Sequence, residues 1–298
     1  MSGHFGDLSD SQQEALESAR TKVKEQKLPE PDDHRLLQFL RARSFDVDKA
    51  VSQYKANLEW RDTYNVEYEY QNPPDSLKRL QALKAIGEDA TCFDKEGRPV
   101  YFACFGKAAL PAIYKYLPTT VQLRLHRYAM ENFSNRCLAQ SAALSKHIET
   151  CVNVFDLEGL CMSHSGLKDA IAATCKMDED NYPECLERTI IINAPWIFTA
   201  MWKVIKAFMD PVVASKVQIV GSDYHSTLQQ FIAVDQLPAK YGGTRQVDLE
   251  ARDTATVLQQ LEEEEKALNL TTETVAAGKV FEHVVHIDSS SSSSSSSS

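Results

Sequence analysis

The sequence predicts an α/β protein, in which a small N-terminal helical bundle precedes a domain with a largely parallel sheet. Residues 189–192 are a β-branched run of the kind that a strand covered on both faces requires, and 217–220 reads as the next strand, running into Gly221. Between them Pro195 opens a helix in which almost every position from Ile197 to Met209 is apolar, interrupted by charge at Lys203 and Lys206, three residues apart and so on one side. A helix without an ordinary polar face must leave the core on one side, yet a bilayer span asks for about 20 apolar residues. It therefore caps a cavity, touches a membrane surface, or does both as a lid. The pattern alone also fits a buried crossover helix of an ordinary α/β domain.

The chain opens with helices. Ser9 or Asp10 can cap residues 12–24, Asp32 and Asp33 precede 36–43, and Asp46 precedes a longer helix through Ala50, Tyr54, Leu58 and Trp60. Arg41 and Arg43 lie two apart and face different ways, so one can reach inward while the other stays solvated; a surface salt bridge is the plain use of either. A polar connector at 71–75 leads to a hairpin turn at 94–97 and a strand at 100–105. A long helix over 119–143 follows, with Leu123, His126, Met130 and Phe133 spaced for one buried face. Strand alternation over 148–156 puts Ile148, Thr150, Val152 and Val154 on one face and Cys151, Asn153 and Phe155 on the other. Beyond Gly243 a charged helix over 251–268 reads as a solvated spacer, and 289–298 is a serine tail with no packing capacity.

Bulk properties bound the function. A chain of 298 residues with 43% hydrophobic and 25% charged content has enough apolar material for one main core with accessory pieces. Its net charge of −10 argues against nucleic acid and against constitutive attraction to anionic membranes, so membrane contact is expected to be local and transient. Seven scattered cysteines without a C-x-x-C pair suit free thiols, and the first twenty residues carry neither an apolar nor an arginine-rich leader pattern; a cytoplasmic monomer is expected. No nucleophile elbow, G-x-G-x-x-G, P-loop or H-E-x-x-H is present, and Cys185 lacks the loop of a cysteine phosphatase. Neither an enzyme nor a cofactor is expected, and no residue is assigned to catalysis or to a metal.

Five ordered motifs sharpen this: L-L-x-F-L-R-A-R-x-F-D-V at 36–47, N-Y-P-E at 181–184, I-I-N-A-P at 191–195, D-P-V-x-x-S-K at 210–216 and L-P-A-K-Y-G-G at 237–243. Together they resemble the CRAL-TRIO lipid-binding family, nearest its phosphatidylinositol/phosphatidylcholine transfer members, over roughly Pro31 to Gly243. The resemblance implies that the face bearing Cys151, Asn153 and Phe155 lines a lipid pocket with Tyr101, Cys185 and Val213. It implies a phosphoinositide headgroup site at Arg43, Glu184 and Lys216, with Cys185 and Val213 standing where the family has an arginine and a threonine. It also implies that the serine and threonine that hold a choline-lipid phosphate are replaced by Cys151 and Asn153, and a nearby tyrosine by Ala90. The gate, with Trp202, Lys203, Lys206 and Phe208, would face the membrane, its lysines meeting phosphates at about 1 kcal/mol each.

The expected organisation is a helical domain at 1–75, a CRAL-TRIO domain at 76–245, an acidic helical spacer at 246–272 and a tail at 288–298. Residues 273–287, with T-V-A-A-G-K-V-F-E at 274–282, resemble the opening strands of a GOLD β-sandwich but are too few to bury a core. The expected function is binding of one phospholipid, phosphatidylinositol foremost, and its transfer or presentation at membranes, including those of the Golgi or endosomes. The alternatives are a carrier of another apolar molecule, such as a tocopherol or squalene, and a lipid-sensing adaptor that does not transfer.

Overall fold

The computed structural model describes residues 1–73, 75–110, 113, 116–160, 168–207 and 209–267. The chain forms two compact units, one from residues 1–69 with 175–185 and one from the described residues of 70–174 and 186–267.

In the first unit α1 (Asp10–Glu25) begins at a capping box between Ser9 and Gln12, α2 (Asp33–Ala42) at Asp32 and α3 (Val47–Thr63) at Asp46. Each capping oxygen satisfies a backbone N–H that has no partner inside the helix. Leu16, Ala19 and Val23 of α1 pack with Leu36, Phe39 and Leu40 of α2 and Ala50, Val51 and Tyr54 of α3. Burial of each large side chain contributes roughly 1.5–3 kcal/mol. The short helix α4 (Val66–Gln71) follows.

Residues 175–185, the end of α7 (Lys168–Asn181) and the turn after it, belong to this unit, a return that the sequence reading, with its boundary at 75, does not anticipate. Gln53 Nε2 donates to the carbonyls of Glu179 and Asp180 at 2.9 and 3.1 Å, and Asn57 Nδ2 to that of Asn181 at 3.1 Å. Side chains of α3 thus satisfy the last carbonyls of α7, which have no acceptor role inside their own helix.

The second unit begins with α5 (Asp75–Leu83) and is built on a five-stranded sheet in the order β1 (Glu88–Phe93), β2 (Pro99–Ala103), β3 (Cys151–Asp156), β4 (Leu186–Ile192) and β5 (Val217–Ile219). Only β1 runs antiparallel to its neighbour, through a turn in which Asp94 accepts from the backbone N–H groups of Glu96 and Arg98. Helix α6 (Thr119–Leu144) links β2 to β3. After β4 come α8 (Phe198–Lys206), α9 (Pro211–Ser215), β5, α10 (His225–Phe231) and a 3₁₀ turn at Ala239–Tyr241. Gly243 closes that turn where a Cβ would stand 1.8 Å from the Leu237 carbonyl oxygen, so no larger residue fits.

The faces of the sheet differ. Val100, Phe102, Val152, Val154, Ile190 and Ile192 are at most 1% exposed, sealed by Leu228, Ile232, Leu237 and Tyr241. On the opposite face Tyr101, Asn153 and Phe155 are only half-buried, while the strand positions that flank them are buried. The alternation expected for 148–156 is present from Val152; Cys151, expected on the half-open face with Asn153 and Phe155, is buried at 4%, where the register of β3 against β4 shifts. The charged helix near the C-terminus, α11 (Thr254–Ala267), is not a solvated spacer: Val257 and Leu261 are buried against Leu83, Ala109 and Leu117. Its apolar residues four apart form a stripe that the dense glutamates conceal in the sequence. The segments at 273–287 and 288–298 lie outside the described residues.

Candidate functional site

The half-buried sheet face is the first part of the site. Pairing of β2 with β3 sets Tyr101 beside Asn153, and pairing of β3 with β4 sets Asn153 beside Thr189. The Tyr101 ring stands edge-on to Phe133 of α6 at 5.8 Å and to Phe155 at 6.4 Å, and Phe155 meets Phe105 at 5.0 Å. The Tyr101 hydroxyl donates a short hydrogen bond to Oε2 of Glu88 on β1. Burial pushes the Glu88 carboxyl above its ordinary range against the opposing pull of that bond, while burial and the Glu88 charge push the Tyr101 phenol well up. Cys151 is buried near the start of β3.

Two helices flank this face. Phe133 of α6 is buried beside Tyr101, while Leu123, Leu125 and Met130 remain half-buried. On α8, Phe198, Met201, Trp202 and Ile205, spaced i, i+3, i+4 and i+7, turn toward Leu157, Ile191 and Phe155. Lys203, Val204 and Lys206 turn outward, with Val204 46% exposed. The gate therefore has one apolar inner face and a mixed outer one.

Trp202, expected on the outer side, packs inward and stacks on Phe198 at 6.2 Å; one position from Lys203 is a rotation of about 100°, which takes it off the lysine face. The outward indole is that of Trp196, 87% exposed in the turn before α8. Its position directly after Pro195, ahead of the helical periodicity, is the signal that would have separated it from the inner stripe. Phe208 lies outside the described residues.

The expected phosphoinositide residues divide between the units. Arg43 ends α2 and, with Gln53, Trp60, Asp180 and Asn181, lines a groove of about 670 Å³ in the first unit. Glu184 follows in the same unit at φ +57°, and Cys185 Sγ approaches the Pro183 carbonyl at 3.5 Å. Lys216, in the second unit, ends α9 and donates from Nζ to the Leu186 carbonyl at 2.8 Å; Val213 is half-buried on the same helix. Glu88, which accepts from Tyr101, was not read from the sequence, because a bulge between Asp89 and Cys92 breaks the period-two alternation of β1 there.

Two matches to known domains cover this architecture: the CRAL/TRIO domain over residues 91–243 and the CRAL/TRIO N-terminal domain over residues 6–56. A CRAL-TRIO domain-containing protein of Saccharomyces cerevisiae is 34% identical over 250 residues, covering 81% of each chain. The phosphatidylinositol/phosphatidylcholine transfer proteins SFH7 and SFH9 of Arabidopsis thaliana are 34% and 35% identical over 72% of this chain, which spans only 40% and 38% of their lengths. The crystal structure of Sfh5 superposes with a TM-score of 0.61 over 88% of this chain and all of that one, at 17% identity, a likeness of fold. Among the described residues no helix is long and apolar enough to cross a membrane.

Proposed function

Because this chain belongs to the CRAL-TRIO family, we propose that it holds one phospholipid over the half-buried face of its sheet and transfers or presents it at membrane surfaces, with phosphatidylinositol as the favoured ligand. The observation that carries this reading is the contrast between the two faces: Val152 and Val154 are sealed at 0% and 1% exposure, while Asn153 and Phe155, the residues between and beyond them, stay accessible. A close-packed domain does not leave an aromatic-lined sheet face part-covered without an occupant for it. The names of the Arabidopsis relatives supply the class of that occupant.

The energetics favour direct exchange with a bilayer. Enclosing two acyl chains of about 30 methylenes removes on the order of 25 kcal/mol of apolar exposure at about 0.8 kcal/mol each, so release into water is too slow to matter. The lipid must pass into a membrane as the gate opens. Helix α8 suits this, since its inner stripe covers the chains while Lys203, Lys206 and Trp196 meet the interface. Arg43, Glu184 and Lys216 are proposed to recognise the inositol phosphate, the arginine as a planar fork and the lysine as a point charge.

The test is incubation of the full chain with vesicles that contain phosphatidylinositol, followed by reisolation, mass spectrometry of the extracted lipid and a transfer assay to acceptor vesicles. About one phosphatidylinositol per protein, with transfer above the protein-free rate, is expected. A protein that extracts no phosphatidylinositol would overturn the reading.

A further inference from the structure

At the C-terminal ends of the parallel strands lies a thiol to which the proposed function gives no role. Cys104, directly after β2, is 1% exposed, and its Sγ accepts from Nζ of Lys240 at 3.1 Å. The same ammonium donates to Asp156 Oδ2 at 2.9 Å. The Tyr241 hydroxyl also donates to that oxygen, at 3.0 Å, so its own oxygen is left to accept from the thiol at 3.2 Å. The ends of β2 and β3 and the 3₁₀ turn at Ala239–Tyr241 thus converge on one lysine–cysteine pair.

Three other thiols have different neighbours. Burial pushes Cys92 up to about 12 and Cys137 and Cys175 up to about 11, and the charges around those three belong to carboxylates and guanidinium groups. Neither group captures an oxidised sulfur through nitrogen: a carboxylate has none, and a guanidinium stays protonated with its lone pairs delocalised. A lysine nitrogen does so once it gives up a proton, and Lys240 has an acceptor for that proton in Asp156. The Lys240 side chain is also 33% exposed, so the group in contact with the buried sulfur reaches solvent.

We propose that Cys104 and Lys240 form an oxidative modification site, at which hydrogen peroxide closes a reversible covalent link between the sulfur and the lysine nitrogen. Rotation of the lysine stem admits the peroxide. The thiol sulfur attacks one peroxide oxygen, the O–O bond breaks, and the products are a sulfenic acid and water. Lys240 then passes one ammonium proton to Asp156, its nitrogen bonds to the sulfur, and the S–O bond breaks as hydroxide leaves with a second nitrogen proton as water. One peroxide is thereby reduced to two waters while the sulfur loses two electrons. The first proton stays on Asp156, which has lost its buried counter-charge. The link ties the L-P-A-K-Y-G-G segment to the end of β2.

The experiment treats the full folded chain with hydrogen peroxide, blocks the remaining thiols, digests with trypsin and reads masses with and without dithiothreitol. Trypsin does not cut after a linked Lys240, so residues 96–107 and 217–245 are expected as one species, two hydrogens lighter than the sum of its parts. The first segment holds Cys104 as its one cysteine and the second holds none, so a disulfide cannot imitate the link. Dithiothreitol is expected to separate the two. Lys240→Arg, which keeps the positive charge beside Asp156, and Cys104→Ser are each expected to lose the species. A wild type whose Cys104 goes to sulfinic acid with no linked species overturns the proposal, as does a Cys104 that stays a thiol under excess peroxide. A linked species that survives in Cys104→Ser, or that dithiothreitol does not reverse, overturns it too. None of these readouts involves a lipid, so the proposed function stands or falls separately.

Discussion

Lys240 Nζ lies 2.9 Å from Oδ2 of Asp156, a carboxylate whose side chain is 1% exposed at the end of the central strand. The same oxygen accepts from the Tyr241 hydroxyl at 3.0 Å, and Oδ1 accepts from Asn193 Nδ2 at 2.9 Å and from the Glu158 N–H at 3.0 Å. The lysine and tyrosine of L-P-A-K-Y-G-G and the asparagine of I-I-N-A-P thus meet on one acid. Segments about 45 residues apart in sequence are pinned to β3 by a group that costs several kcal/mol to bury unless it is satisfied.

Burial alone would raise the Asp156 carboxyl, but the bonds from Asn193, Lys240 and Glu158 outweigh it and hold it below 3.8. Burial would lower Lys240, yet the bonds to Asp156 and Cys104 outweigh it and hold it above 10.5. The acid's contribution to stability is therefore present above its unfolded pKa and lost as pH falls through its folded value. The lysine's is present below its unfolded pKa and lost as pH rises through its folded value. Lys240→Met should lower the unfolding free energy by about 1–3 kcal/mol at neutral pH, with a deficit that shrinks in strong acid and in strong base. Denaturant titrations across pH check this; a deficit that does not change with pH would show that packing, not charge, accounts for it.

The two indoles near the gate should separate fold from membrane contact. Trp202→Ala removes an inward ring stacked on Phe198 and should cost about 2–3 kcal/mol, below the 3–5 of a fully buried aromatic. Trp196→Ala removes a ring that is 87% exposed and should stay within about 0.5 kcal/mol while it weakens vesicle association several-fold. Melting curves paired with vesicle flotation decide it, and unchanged flotation of the Trp196 variant would remove that residue from the interface.

Charge on the gate should act additively with anionic lipid. Lys203→Ala and Lys206→Ala together are expected to weaken binding to anionic vesicles by about 2 kcal/mol, at about 1 kcal/mol per lysine, and to leave binding to neutral vesicles unchanged. The effect should fade with added salt. Equal losses on neutral and anionic vesicles would count against a phosphate contact.

Headgroup choice should depend on Lys216. The wild type is expected to transfer phosphatidylinositol in preference to phosphatidylcholine, by a hundredfold or more if missing charge-assisted bonds cost about 1–2 kcal/mol each. Lys216→Ala should abolish the preference. A transfer assay with both labelled lipids reads this directly, and a variant that still prefers the inositol lipid would exclude Lys216 from the headgroup site.

Asn57 offers a test in the helical unit. It is 1% exposed and donates to the Asn181 carbonyl, so Asn57→Leu should leave an acceptor at the end of α7 unsatisfied and cost about 1–3 kcal/mol. An unchanged denaturation midpoint would mean that water replaces the bond.

The motifs were legible because each records a local necessity. Ser9, Asp32 and Asp46 announce helix starts because a helix leaves its first N–H groups without partners, and Gly243 is required by a carbonyl 1.8 Å from where a Cβ would stand. The alternation of Val152, Asn153, Val154 and Phe155 sorts residues between faces because a strand has period two. Such rules act within a few residues, so the sequence by itself determined the helices, the strands and which side chains share a face.

Tertiary structure decided what lies opposite those side chains. That Tyr101 donates to Glu88 depends on the register of β1 against β2, which a bulge between Asp89 and Cys92 shifts. That Trp202 turns inward and Trp196 outward depends on where α8 begins, since each residue of displacement rotates the helix by about 100°. That residues 175–185 join the N-terminal helices depends on side chains of α3 that satisfy carbonyls more than a hundred residues away. Pairings of this kind are settled by the packing of the whole chain, because the free energy that selects them comes from groups distant in sequence.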